Sequence, residues 1–140
     1  MINNIEIEKL KEFFDNDKLA KDLGIEIESA TEEEITCVMN LTENHENSIG
    51  GIHGGAIFTL ADFTFAVHSN LMRVLGDDKK STVGQSCSIS YLKPPKGDKL
   101  IAKSKCSNKG KTMSVYIVSI TDEFKRPIAE MIGNGFAIDY

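Results

Sequence analysis

The sequence predicts an α+β fold: one curled antiparallel β-sheet wrapped around one long central helix. Three observations carry this. The run from residue 54 to 75 is apolar on nearly every side and, beyond Gly55, holds no Gly or Pro until Gly76, which marks a helix buried on most faces. Two alternating segments precede it and four follow it. The later segments are joined by short turns, so they read as sequential antiparallel hairpins that need no crossover helix.

Each element has its own signal. Ile5, Leu10, Phe13 and Phe14 fall near helical spacing, predicting a short N-terminal helix over about residues 4–15 that ends at Asp15-Asn16-Asp17. Residues 23–30 alternate Leu23, Ile25 and Ile27 with charged partners, and residues 34–41 place Ile35, Cys37, Met39 and Leu41 on one face. These read as a strand pair joined at Thr31-Glu32-Glu33. Residues 43–51 are polar and end in Gly50-Gly51, and residues 76–80 form a polar turn after the long helix. Strands are then expected over 83–92, 100–106, 113–120 and 128–138, the last weakened by Gly133 and Gly135. Turns fall at 94–98, 108–111 and 125–127. No repeat or linker interrupts the pattern, so residues 1–140 are expected to form a single domain. A sheet of this size has an exposed edge, and pairing with a second copy is expected.

Composition narrows the function classes. The chain has 140 residues, 41% of them hydrophobic and 26% charged, enough for a sizeable core. A net charge of −5 argues against a nucleic-acid partner. The charge is uneven: residues 1–43 carry 12 acids and 4 Lys/Arg, while residues 79–126 carry 11 Lys/Arg and 3 acids. A local positive field suits a small anionic ligand. Cys37, Cys87 and Cys106 are odd in number and widely spaced, which argues against a disulfide framework or a metal site and fits a reducing cytoplasm. The N-terminus lacks a signal-peptide apolar stretch, and residues 56–67 are too short to span a bilayer, so no membrane partner is expected.

Two features break the logic of a buried helix. The first is the glycine-rich start, Gly50-Gly51-Ile52-His53-Gly54-Gly55. Glycines let backbone amides approach a ligand, and the first N–H groups of a helix lack internal partners. Such amides suit a carbonyl oxygen turning into an oxyanion. The second is Asp62, two turns in and flanked by Leu60, Ala61, Phe63 and Phe65, with no Lys or Arg three or four residues away. A buried carboxylate without a partner is costly and often functional.

The stretch resembles the PaaI-like branch of the hot-dog thioesterases. The resemblance rests on Asn47, Gly50, the motif His53-Gly54-Gly55-Ala56-Ile57-Phe58-Thr59-Leu60-Ala61-Asp62, and Phe65-Ala66. Downstream it extends to Ile89-Ser90-Tyr91-Leu92-Lys93-Pro94 and Asn108-Lys109-Gly110-Lys111-Thr112. It covers roughly residues 23 to 138. It implies a hot-dog fold and hydrolysis of an acyl-coenzyme A thioester, with Asp62 as base or nucleophile, the Gly54 amide as oxyanion donor assisted by Gly55, and Asn47 placing substrate or water. His53, Gly55, Gly84, Gln85, Tyr91, Asn108, Lys109, Gly110, Lys111 and Thr112 would contact substrate or coenzyme A, with Lys109, Lys111 and Lys93 meeting its phosphates. His53 takes a structural role in such turns more often than a chemical one.

Coenzyme A is then part of the substrate and no separate cofactor is implied. The active unit would be a homodimer, alone or as a dimer of dimers, with Asp62 and Gly54 supplied by different protomers. Where relatives carry a water-orienting Ser or Thr, this chain has Gly84, with Thr82 and Gln85 nearby. Phe58, Phe63, Phe65 and Met72 would line an aromatic or medium-chain acyl pocket or belong to the core. Three alternatives remain open at this level: a non-catalytic acyl-CoA-binding module, a hydroxyacyl-thioester dehydratase using His53 and Asp62, and a structural dimer.

Overall fold

The computed structural model describes residues 2–139. Helix α1 spans Asn4–Phe14. Asn3 accepts the Glu6 amide at 2.9 Å while the Glu6 carboxylate accepts the Asn3 amide at 3.1 Å, a reciprocal cap that satisfies two orphan donors. A second short helix, α2 (Lys18–Asp22), was not expected. Its signal was the cap: Asp17 accepts the Ala20 amide at 3.1 Å. The first strand therefore starts at Ile25 rather than Leu23, after Gly24 at φ +74°.

The six strands are β1 (Ile25–Ala30), β2 (Ile35–Asn40), β3 (Lys80–Tyr91), β4 (Lys99–Lys109), β5 (Met113–Asp122) and β6 (Pro127–Asp139). They form one antiparallel sheet in the order β1-β2-β4-β5-β6-β3. The expectation of sequential hairpins is corrected at one place. β3 does not pair with β4; it lies at the far edge against β6, and β4 pairs with β2 and β5. The connection from 92 to 98 is held instead at the β5–β6 turn. The Asp122 carboxylate, fully buried, accepts amides from Lys96, Phe124 and Arg126 and the Arg126 guanidinium at 3.0–3.2 Å. Burial pushes its carboxyl up, but these donors outweigh that and hold it below the ordinary range. Asn108 and Lys109, expected in a loop, extend β4, and the turn is confined to residues 110–112.

The long helix is α3, Gly54–Ser69, with its core side against the sheet. The expected continuation to residue 75 is interrupted at Asn70, after which α4 (Leu71–Leu75) begins. The Asn70 carboxamide is the cause. Its Nδ2 donates to Ala66 O and Thr82 O at 3.0 Å, and its Oδ1 accepts the Thr82 amide at 2.7 Å. A short polar side chain that bonds backbone in this way competes with helix continuation.

Gly133 and Gly135 do not merely weaken β6. A Cβ at Gly133 would sit 3.1 Å from the Phe65 ring, and one at Gly135 would sit 3.3 Å from it. The Phe65 ring, 1% exposed, lies on this bare patch and meets Tyr116 edge-on at 5.6 Å.

Candidate active site

The site is built at the start of α3. Asn47 locks the preceding loop: its Oδ1 accepts the amides of Ile49 and Gly51, each at 3.0 Å, and its own amide donates to Gly51 O at 2.7 Å. Gly50 takes the left-handed conformation, φ +81°, that this tight loop needs and that glycine adopts freely. Asn47 Nδ2 has no acceptor among the described residues, so both of its N–H donors remain available.

His53 caps the helix. Its amide donates to His45 O at 2.7 Å, and its Nδ1 accepts the Gly55 amide at 2.8 Å. This corrects the expectation that Gly55 assists an oxyanion, because its N–H is already committed. The amides of Ala56 and Ile57 donate to His53 O. Among the described residues, Gly54 N–H alone of these first amides has no acceptor. Tyr91, at the end of β3, donates its hydroxyl to Gly54 O at 2.9 Å. A Cβ on Gly54 would meet the Tyr91 ring at 3.3 Å. Tyr91 therefore buttresses the turn, with its hydroxyl hydrogen committed to Gly54 O.

Asp62 is exposed in the single chain, which corrects the expectation of a buried carboxylate. The apolar run around it is not covered on all sides: Gly55, Phe58, Thr59, Asp62 and Ala66 form a stripe that the sheet leaves open. Thr59 spends its hydroxyl on Gly55 O at 2.7 Å. The Asp62 carboxylate has no hydrogen-bond or ion-pair partner among the described residues. Partial desolvation first, and the negative charge of Asp17 second, raise its pKa above the ordinary carboxylate value. Asp62 in turn adds to the burial that raises the Cys87 thiol. The carboxylate thus shares its electrostatic surroundings with the α1–α2 turn on one side and with β3 on the other. Neither Asp17 nor Cys87 was singled out from sequence, because both are adjacent to Asp62 only in space.

Gly54 and Asp62 do not come together within one chain. Eight residues of helix separate them by ~12 Å along the axis, too far for both to reach one carbonyl group. The other expected residues are spread more widely. Gly84 and Gln85 lie on the exposed outer strand β3, where the register shifts between Gly84 and Ser86 and leaves Gln85 as a bulge. A Cβ at Gly84 would make ordinary contacts, 3.6 Å to Phe65 and 3.7 Å to Cys87 Sγ, so a hydroxyl side chain fits there. Asn108, Lys109, Gly110, Lys111 and Thr112 form an exposed tip between β4 and β5. Gly110 is needed there because a Cβ would fall 2.8 Å from Met113 O. Phe65 is core, Phe63 is buried beside a cavity, Phe58 is half-buried on the open stripe and Met72 is exposed. Among the described residues, no three His, Cys, Asp or Glu side chains converge as metal donors would, and no helix is long and apolar enough to cross a membrane.

Comparison with known proteins places this geometry. The thioesterase superfamily profile matches residues 49–128, the segment from the site loop to the start of β6. The chain is 32% identical over 126 residues to the acyl-coenzyme A thioesterase PaaI of Escherichia coli K12, covering 89% of this chain and 86% of that one. It is 28% identical over 96 residues to mouse acyl-coenzyme A thioesterase 13, covering 68% and 66% of the two chains. The solved structure of E. coli PaaI superposes with a TM-score of 0.86 at 29% identity, covering 99% of this chain and 96% of that one. A Streptococcus mutans protein solved with bound acetyl CoA superposes with a TM-score of 0.73 at 27% identity, covering 82% and 89%. The free helix-start amide, the open carboxylate and these likenesses converge: the chain belongs to the thioesterase superfamily, as a PaaI-like thioester hydrolase of hot-dog fold.

Proposed function

We propose that the chain hydrolyses acyl-coenzyme A thioesters, with Asp62 as the reacting carboxylate and the Gly54 amide as the oxyanion donor. The observation that carries this is the pairing of two unspent groups: one helix-start N–H without an acceptor and one unpartnered carboxylate on the open stripe of the same helix. The acetyl-CoA-bound S. mutans neighbour supports the class of substrate.

In the general-base route, Asp62 takes a proton from water as the water oxygen attacks the thioester carbon. The oxyanion rests on Gly54 N–H, the C–S bond breaks, and the coenzyme A thiolate leaves and is protonated. In the nucleophilic route, an Asp62 oxygen attacks the carbon itself, and water then cleaves the mixed anhydride. Label entering the Asp62 carboxylate in a single turnover in heavy-oxygen water marks the nucleophilic route, with water attacking the Asp62 carbonyl of the anhydride; attack at the acyl carbon labels the free acid in either route.

The ~12 Å between Gly54 and Asp62 calls for two chains at one site. The free edge of β3 offers the pairing surface, giving a homodimer or a dimer of dimers. Asn47 Nδ2 would position substrate or water. Exposed Lys109 and Lys111, with Lys93, would meet the coenzyme A phosphates as point charges. Gly84 supplies no hydroxyl to hold the water.

The test is thiol release from a panel of acyl- and aryl-CoA substrates, comparing wild type with Asp62→Asn. Loss of turnover in the variant supports the assignment; unchanged turnover sinks the role of Asp62. Hydration without thiol release would point to a dehydratase.

A further inference from the structure

Strand β4 alternates sharply across the sheet. Leu100, Ala102 and Ser104 are buried on the side of α3, where Ser104 bonds His68, while Lys99, Ile101 and Lys103 lie on the outer face. With Glu28 of β1, Thr121 of β5 and Lys125 of the β5–β6 turn, these outer residues line an open groove of about 430 Å³. That is within the ~300–1,000 Å³ typical of small-ligand clefts. Ile101, at its centre, is eight strand residues, ~25 Å, from Lys109 at the tip of β4. Helix α3, which carries Asp62, packs on the opposite side of the sheet. The groove is therefore apart from the groups this chain offers to a thioester.

Its charges do not balance. Lys99 meets Glu28 at 3.5 Å, and Lys103 and Lys105 share Glu34, each at 3.8 Å. Lys125 has no ion-pair partner among the described residues; Glu123, in the same turn, accepts the Asp98 amide. Lys99, Lys103, Lys105 and Lys125 thus face Glu28 and Glu34, leaving a positive surplus around the groove.

The backbone at Lys125 is a second, independent observation. Among the described residues it is the one non-glycine with a left-handed φ, +62°. Its amide donates to Asp122 O at 3.0 Å, and the Asp122 amide donates to Arg126 O at 3.2 Å. Lys125 therefore closes a tight hairpin turn at the position where glycine is the usual residue. Any other side chain is held there at a conformational cost. No ion pair within the chain offsets that cost, and a strained residue that borders a cleft points to a ligand.

We propose that this outer groove is an anion site that takes a small ligand bearing a phosphate or pyrophosphate group, with Lys99, Lys103 and Lys125 as its cations. Lysine meets phosphate as a point charge, and the surplus offsets the ~1.5–2 negative charges of a phosphate monoester near neutral pH. Half-buried Ile101 and Thr121 form the floor. A groove this short, on a chain of net charge −5, suits a small molecule and not a nucleic acid. The site stands independently of the thioesterase reading.

The experiment is isothermal titration of the full chain with pyrophosphate in a chloride buffer. Wild type is expected to bind saturably, and more weakly as salt rises. Lys125→Gly removes one cation and relieves the left-handed backbone, so it is expected to melt higher than wild type. It should bind pyrophosphate at least ~10-fold more weakly, the loss of one charge-assisted contact. Lys109→Ala/Lys111→Ala, at the far end of β4, is expected to bind as wild type does. Adenosine triphosphate separates two sources of the same chemistry: an organic phosphate resting on Ile101 binds tighter than pyrophosphate, a free anion does not, and the site stands in both cases. The inference is overturned by wild type that shows no saturable binding at millimolar pyrophosphate. Undiminished affinity in Lys125→Gly, or binding lost in Lys109→Ala/Lys111→Ala, overturns it equally.

Discussion

The Tyr91 hydroxyl donates to the carbonyl oxygen of Gly54 at 2.9 Å, so the end of β3 fixes the turn that presents the Gly54 amide. Tyr91→Phe removes that bond at a half-exposed position and is expected to cost no more than ~1 kcal/mol of stability. Gly54→Ala puts a Cβ 3.3 Å from the ring, displacing the turn by a few tenths of an ångström. Turnover is expected to fall about tenfold, against the ~10²-fold expected for a full 1 Å misplacement. Urea unfolding and thiol-release kinetics on both variants check this.

His53 is expected to act through the backbone. His53→Ala leaves the Gly55 amide without its acceptor and should cost ~1 kcal/mol, the usual value of a lost N-cap. His53→Asn, a strong capping residue, should recover most of that. A loss of turnover of ~10²–10⁴ in the stable Asn variant, the range for a general acid or base, would instead give the ring a chemical role.

Asp62 has its pKa raised, first by partial desolvation and then by Asp17. It reacts as a carboxylate, so the acid limb of the kcat/KM profile should lie above the ordinary Asp range. Asp17→Asn keeps a capping side chain at the start of α2 and removes the charge. The limb should then move to lower pH, with stability little changed. An unmoved limb would mean that another group controls it.

His68 is buried between Ser104 Oγ, at 3.1 Å, and Glu32 O, at 2.9 Å. Burial lowers its pKa below the ordinary value of 6.5. The unfolded chain therefore gains a proton first as pH falls. Stability is complete above about 6.5 and is lost as pH drops from there toward the lower folded value. His68→Asn should be less stable at pH 7.5 but lose less between pH 7.5 and 5.5, read as the shift in urea midpoint.

The glycines around Phe65 are expected to differ. Gly133→Ala places its Cβ 3.1 Å from the buried ring and should cost ~1–3 kcal/mol as overpacking. Gly84→Ala, at 3.6 Å, should change stability by less than ~0.5 kcal/mol, as a surface substitution does. Thermal unfolding of the two separates them.

The architecture was legible because its signals are local: alternation or β-propensity between turn residues marked the six strands, and the apolar run marked α3. The strand order was not. Turn residues announce a chain reversal but not its neighbour, and β3 finds its place by pairing from Lys80 to Tyr91 with β6, a strand distant in sequence. The break at Asn70 has no local signal because it depends on Thr82, twelve residues away. The motif from His53 to Asp62 identified the candidate groups, yet sequence adjacency misled about their geometry. A helix that puts two residues on one rod also holds them apart, and a carboxylate flanked by apolar neighbours still stands in the open where the sheet stops short.

Asn70 also turns the interruption of the helix into a ruler. Its carboxamide occupies both backbone groups of Thr82 that face away from β6, and the Gln85 bulge lies just beyond. Any incoming strand, from a second copy or a stray unfolded chain, finds the Thr82 groups already taken and must pair beyond them. An edge that would otherwise template loose association therefore has one permitted starting line.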